Sequence, residues 1–214
     1  MCSMFSLPTL PELVVKLIIL LLAIPIHEWA HAWSAYQLGD DTASQQGRMT
    51  LNPIVHLDPI GSLLLLFSNF GWGKPVPVNP YRMRTNPRVG MAISAAAGPL
   101  SNFVLAMLLA IPLRMGWIDS YAGDFSIGHL LLVAIGINLS LMLFNFIPIY
   151  PLDGEKILMG LLPPRWGDSL LRLRPFGMLI LAALIFILPR MGVDLIRILI
   201  MPVYRLLWSL LLLF

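Results

Sequence analysis

Apolar residues in this chain come in long unbroken runs, not in the alternations of a soluble helix or strand. A bilayer core of about 30 Å takes roughly 20 helical residues at about 1.5 Å each. Runs at 13–38, 89–112 and 127–150 meet that length. Two more follow at 176–188 and 193–214; the first is short for a span and the second carries Arg197 and Arg205, so a position partly in the interface is the alternative for both. The pattern predicts an all-α polytopic membrane protein with four or five transmembrane helices.

The connection between the first two runs, residues 39–88, is rich in Gly, Pro and Asn and predicts turns and extended segments. Its one apolar stretch, Gly61–Phe70, is too short to cross a bilayer and reads as a re-entrant or interfacial element. "GRMTLN" and "KPVPVN" beside it read as extended or β-like pieces, the latter confined to a sheet edge by its prolines. The expected fold therefore has a short membrane-associated β or re-entrant segment between spans one and two. One domain is expected over 1–214, with a core at about 13–160 and C-terminal helices at about 174–214.

Composition supports the membrane reading: 58% of residues are hydrophobic, 12% are charged and mean hydropathy is +0.82, outside the range of soluble domains. Charge then sets orientation. Arg48, Lys74, Arg82, Arg84 and Arg88 lie in the first connection, and Lys156, Arg165, Arg172 and Arg174 in the third. The alternate connections carry only Arg114 and Arg190. By the positive-inside rule the two basic connections are cytoplasmic and the N-terminus is outside, in a multi-pass protein of the cell membrane. The net charge of +3 suits anionic lipid headgroups, and no basic-aromatic surface for nucleic acid is visible. Cys2 stands alone, which excludes an intrachain disulfide and a cysteine metal cluster. The first residues lack a basic n-region and a small-residue cleavage site, so the first span is expected to be retained.

Within the first run, "AIPIHEWAHAW" sets His27, Glu28 and His31 in otherwise oily surroundings. Residues i and i+4 of a helix share a face, so His27 and His31 can aim at one metal ion. Glu28 is placed to take a proton from a metal-bound water without being a ligand, as in H-E-x-x-H zinc peptidases. Ionisable groups in a span cost a few kcal/mol each and point to function. Pro25 removes a backbone donor just upstream and either loosens the helix near the site or makes an ordinary kink. A catalytic zinc needs a third protein ligand. His129 opens the third span and reads as interfacial, which leaves loop residue His56 and Asp153 of "NFIPIYPLDGEKI". An Asp-Gly turn after a helix is the plain reading of Asp153 by itself.

Together, "HEWAH" and "NFIPIYPLDG" resemble the paired signatures of the site-2 protease family of intramembrane zinc metalloproteases. "LGDDTASQQGRMTLNPIVHLDPIG", "GWGKPVPVNP" and "AGPLSN" extend the resemblance to compact bacterial and archaeal members, over about residues 20–160. It implies one zinc ion per chain held by His27, His31 and Asp153, with Glu28 activating water. It further implies a substrate- or oxyanion-binding role for Asn145 and, in the same class, Asn102; a polar residue bonding neighbouring helices is the alternative for Asn145. The implied activity is hydrolysis of peptide bonds within or near transmembrane segments of substrate proteins, by a catalytic core without the PDZ or CBS domains of larger members. The competing readings are a membrane zinc-binding or transport protein and a non-cleaving pseudo-protease that binds membrane helices.

Single cysteines introduced near Gln46 and Arg165 are expected to label only from the cytoplasmic side, and one near Ala122 only from outside; labelling at Gln46 from outside would reverse the orientation.

Overall fold

The computed structural model describes residues 10–68, 71–119 and 126–212. Ala122, Cys2 and the N-terminal stretch whose side was inferred above lie outside the described residues, as do Asn69 and Phe70. Among the described residues, five helices are long and apolar enough to cross a membrane: Leu13–Gln37, Pro87–Arg114, Ile127–Asn145, Arg174–Met191 and Leu195–Leu212. Among the described residues there is no strand, and the β structure is limited to one isolated antiparallel bridge between Leu57 and Gly73.

The first span is continuous but not uniform. Helix α1 (Leu10–Ile18) passes through a π-helical turn, Ile19–Ala23, into α2 (Ile24–Gln37). Pro25 cannot donate to the carbonyl four residues back and its ring crowds that carbonyl. The wide turn just before it, closed by the Ile24 N–H on the Ile19 carbonyl, absorbs the misfit without breaking the helix. The proline thus changes the winding one turn ahead of His27.

The first basic connection holds α3 (Thr42–Gln45) and α4 (Pro59–Ser68). The apolar stretch expected at Gly61–Phe70 is thus largely helix, and it forms one arm of a hairpin. The returning chain lies against it, with Gly61 facing the Trp72 carbonyl so closely that a side chain at 61 would collide with it. The Leu57–Gly73 bridge closes the mouth, and buried Lys16 of α1 donates from Nζ to the Leu66 carbonyl (2.6 Å) near the C-terminal end of α4. The β-like pieces expected at 47–52 and 74–79 form no ladder. In 74–79 the prolines Pro75 and Pro77 leave too few N–H donors for one.

Helix α5 (Pro87–Arg114) is the central element, packed against α2, α6 (Ile127–Asn145) and α7 (Asp153–Leu161). Its buried face is built from Gly90, Ser94, Ala95, Gly98, Ala106 and Ala110; small residues let membrane helices approach closely. Ala106, Ala110 and Leu113 meet Ile135 and Leu139 of α6 and Leu212 of α10 (Leu195–Leu212) in the apolar core. The third helix stops at Asn145, not at the 150 expected from hydropathy, because Pro148 and Pro151 cannot continue it. After α8 (Pro164–Leu171), the fourth span starts as α9 (Arg174–Ala182). The first three spans each bury 33% of their most apolar window, the fourth 11% and the fifth 6%, so the last two are peripheral.

Gly61→Ala forces the α4 hairpin open against Trp72 and is expected to cost about 1–3 kcal/mol by overpacking. The check is a lowered thermal midpoint of the purified protein in detergent; an unchanged midpoint would show that the hairpin is not closed this way.

Candidate metal centre

On α2, His27 and His31 stand one turn apart with their rings edge to face, centroids 4.6 Å apart and planes at 86°. Their Nε2 atoms are 3.0 Å from each other. Asp153, the first residue of α7, brings Oδ2 to 3.1 Å from His27 Nε2 and 3.0 Å from His31 Nε2. All three side chains are buried. A tetrahedral zinc with bonds of about 2.0–2.1 Å sets its ligand atoms roughly 3.3 Å apart. The observed triangle is within a few tenths of an ångström of that spacing, and two imidazoles with one carboxylate are a chemically suitable donor set for zinc. Among the described residues, His27, His31 and Asp153 are the cluster of metal-ligating side chains able to hold an ion.

Neighbouring elements orient each donor. His31 donates from Nδ1 to the Ser94 carbonyl of α5 (2.7 Å), which can only accept, so its Nε2 lone pair faces inward. Ser94 Oγ returns a bond to the His31 carbonyl at 3.2 Å. Gly98, one turn further along α5, lies flush against both imidazoles, and a methyl group there would collide with them. Asp153 accepts at Oδ1 from Lys156 Nζ (3.0 Å), leaving Oδ2 for the centre. Gly154 is needed because the carbonyls of Phe146 and Ile147 occupy the space a side chain would take.

Glu28 lies beside this triangle, and its Oε2 accepts the Val76 N–H at 2.9 Å. Val76 belongs to the extended 74–79 segment, which crosses the site as a strap pinned at both ends. Arg48 Nη2 donates to the Lys74 carbonyl (2.7 Å), and the Asn79 N–H donates to Oδ2 of buried Asp40 (2.6 Å). Glu28, the three donors, Val76, Asn145 and Lys156 are among the residues lining one cavity of about 220 Å³.

The structure therefore brings His27, Glu28, His31, Asp153 and Asn145 together. Asn145 Nδ2 donates to the Leu141 carbonyl at 3.0 Å. Asn102 is fully buried in α5 outside that cavity, and neither polar atom of its side chain has a hydrogen-bond partner. His56 is buried away from the donors and gives its Nε2 proton to the Thr50 carbonyl (2.7 Å), fixing its own loop. Sequence reasoning missed Ser94 and Lys156. Lys156 had a signal, since i and i+3 on a helix meet; Ser94 acts partly through a backbone carbonyl, which leaves no trace in the sequence.

No family model matches the chain, and no solved structure matches it. Curated relatives do. A Bacillus subtilis (strain 168) protein named "Putative zinc metalloprotease YwhC" is 39% identical over 189 residues, 86% of this chain and 84% of the relative. "Putative zinc metalloprotease Rip2" of Mycolicibacterium smegmatis is 31% identical over 175 residues, 77% of this chain and 64% of the relative. Rip2 of Mycobacterium tuberculosis (strain H37Rv) is 30% identical over 178 residues, 80% and 66% respectively. The chain thus spans just under two thirds of the Rip2 proteins and most of YwhC. With five apolar helices and this likeness running the length of most of both chains, the protein belongs to the site-2 protease family of membrane zinc metalloproteases.

Proposed function

We propose that the chain is one intramembrane endopeptidase domain that hydrolyses peptide bonds within or near transmembrane segments of other membrane proteins. The observation that carries this reading is the convergence of His27 Nε2, His31 Nε2 and Asp153 Oδ2 at 3.0–3.1 Å beside Glu28, at the level of an apolar span. His27, His31 and Asp153 would hold one zinc ion. When bound, zinc supplies a Lewis acid that polarises the scissile carbonyl and acidifies water.

The chain's own residues do the remainder. Glu28 takes the proton of the attacking water and returns it to the leaving amine. The Val76 N–H occupies one carboxylate oxygen and leaves the other for this exchange. The Asn145 amide, at the cavity wall, exchanges its Leu141 bond for one to the developing oxyanion. Lys156 Nζ engages Oδ1 of Asp153 and leaves Oδ2 for the centre.

A substrate span needs an apolar seat as well as a polar site. A cavity of about 660 Å³ lies between the first, third, fourth and fifth spans and the α4 hairpin, and Ile24, Leu141 and Phe144 line it. Ile24 is one turn before Glu28, and Phe144 adjoins Asn145, so apolar and polar sites share two walls. With the basic connections in the cytoplasm, the site opens on that side, where water reaches it. A zinc transporter would need further ligand groups along a path through the membrane, and among the described residues His27, His31 and Asp153 form one cluster without a second.

The test separates ligand from base. Glu28→Gln is expected to keep near-stoichiometric zinc and lose cleavage of a single-span substrate. Asp153→Ala, His27→Ala and His31→Ala are expected to lose both. Gly98→Ala, which pushes on both imidazoles, should weaken zinc binding at least about tenfold, as loss of an orienting neighbour does. Cleavage by Glu28→Gln at the wild-type rate would refute the assigned base, and full zinc in Asp153→Ala would refute the third ligand.

A further inference from the structure

Asp153 is carried by a light element. It opens a nine-residue helix after a turn interrupted by Pro148 and Pro151, yet a ligand atom must be held within about 0.5 Å of its working place. One side of α7 rests on α5, where Gly160 lies against Ala92 and the Arg88 backbone. On the other side Arg174 of the fourth span fastens α7 at Glu155 and, through Nη2, at Met159 Sδ (3.5 Å). Glu155, two residues after the ligand and 2% exposed, accepts from Arg174 Nε at Oε1 (2.6 Å) and from Nη2 at Oε2 (3.0 Å). Arg174 is the first residue of α9. Its guanidinium also lies 5.8 Å from the centroid of the Tyr150 ring, and Gly177, one turn on, presses against the Tyr150 backbone.

The start of the fourth span thus grips the chain on both sides of Asp153, at Tyr150 and at Glu155. That span is otherwise peripheral, with 11% of its apolar window buried. Only Glu155 is buried in this pair, the Arg174 side chain being 39% exposed, and an ion pair so placed adds little stability of its own. What a two-bond Arg–carboxylate fork supplies beyond an apolar contact is direction, since both partners are planar and fix each other's orientation. Glu155 and Asp153 share the first turn of α7, so fixing one fixes the other.

We infer that the Glu155–Arg174 fork is a positioning device for the metal ligand Asp153, which makes the fourth span part of the support of the metal centre. Neither residue touches substrate; both act through the turn that presents Oδ2. The inference rests on the reading of Asp153 as a ligand.

The test uses the full chain, purified in detergent, with zinc affinity measured by chelator competition, the visible spectrum of the cobalt-loaded protein, and the thermal midpoint. Glu155→Gln and Arg174→Lys, which keep size or charge but lose the fork, are expected to bind zinc about 10- to 100-fold more weakly and to alter the cobalt spectrum. The double variant Glu155→Leu with Arg174→Leu separates positioning from packing. It is expected to keep or raise the midpoint and still bind zinc weakly. If both single variants bind zinc as the wild type does, or if the double variant recovers wild-type affinity, the fork is a fold contact only and the inference fails. Should the double variant not fold, the two single variants decide alone. A wild-type chain that binds neither zinc nor cobalt would instead remove the metal-site reading, and with it the inference, a result distinct from any difference among variants.

Discussion

Two imidazole nitrogens and a carboxylate oxygen held 3.0–3.1 Å apart inside a bundle of apolar helices are the arrangement on which the rest of this structure depends. Each of these groups costs a few kcal/mol to bury at membrane depth unless it is partnered. The fold answers by supplying partners from three elements. The α2 helix contributes both imidazoles on one face, α7 contributes the carboxylate, and α5 lies between them with a face of small residues. Substitute a larger side chain at Gly98 and the distance between α2 and α5 that makes the triangle possible is gone.

The irregular backbone is concentrated around the same place. A π-helical turn precedes the histidines, a proline-interrupted turn precedes Asp153, and an extended strap crosses Glu28. In a membrane, backbone that is not helical persists only where protein or a water-filled cavity covers it. Here each irregular piece either presents a donor or satisfies one. The Val76 N–H, free because the strap is not in a sheet, bonds the Glu28 carboxylate. Asp40 and Arg48, from a stretch that reads as ordinary polar loop, hold the ends of that strap. The polar residues of the first connection are thereby linked to the Glu28 end of the site, and Glu155 with Arg174 to its Asp153 end.

Hydropathy and two short motifs carried most of this. The five apolar segments are visible as runs, because span length is set by bilayer thickness and not by local detail. His27 and His31 are visible because helical spacing puts i and i+4 on one face, and Asp153 became a candidate through the company of the L-D-G motif with H-E-x-x-H. The end of the third helix was legible in principle from Pro148 and Pro151, but hydropathy continues to residue 150 and overrode it. Residues 74–79 read as extended or β-like and are extended without a ladder, because the prolines between the alternating valines remove the donors a ladder needs. The α4 hairpin, the Ser94 carbonyl and the Glu155–Arg174 fork were not legible. They arise from which elements meet, and a single sequence without its tertiary contacts does not record that.

The central claim is that a metal held by this triangle cuts peptide bonds at membrane depth. The most direct measurement incubates the purified protein in lipid with a generic single-span substrate, with and without a chelator, and maps the products by mass spectrometry. The account predicts a cut within or at the edge of the substrate's apolar segment, abolished by the chelator and restored by added zinc. A cut that survives complete removal of metal, or no cut by fully zinc-loaded protein on any such substrate, would contradict it.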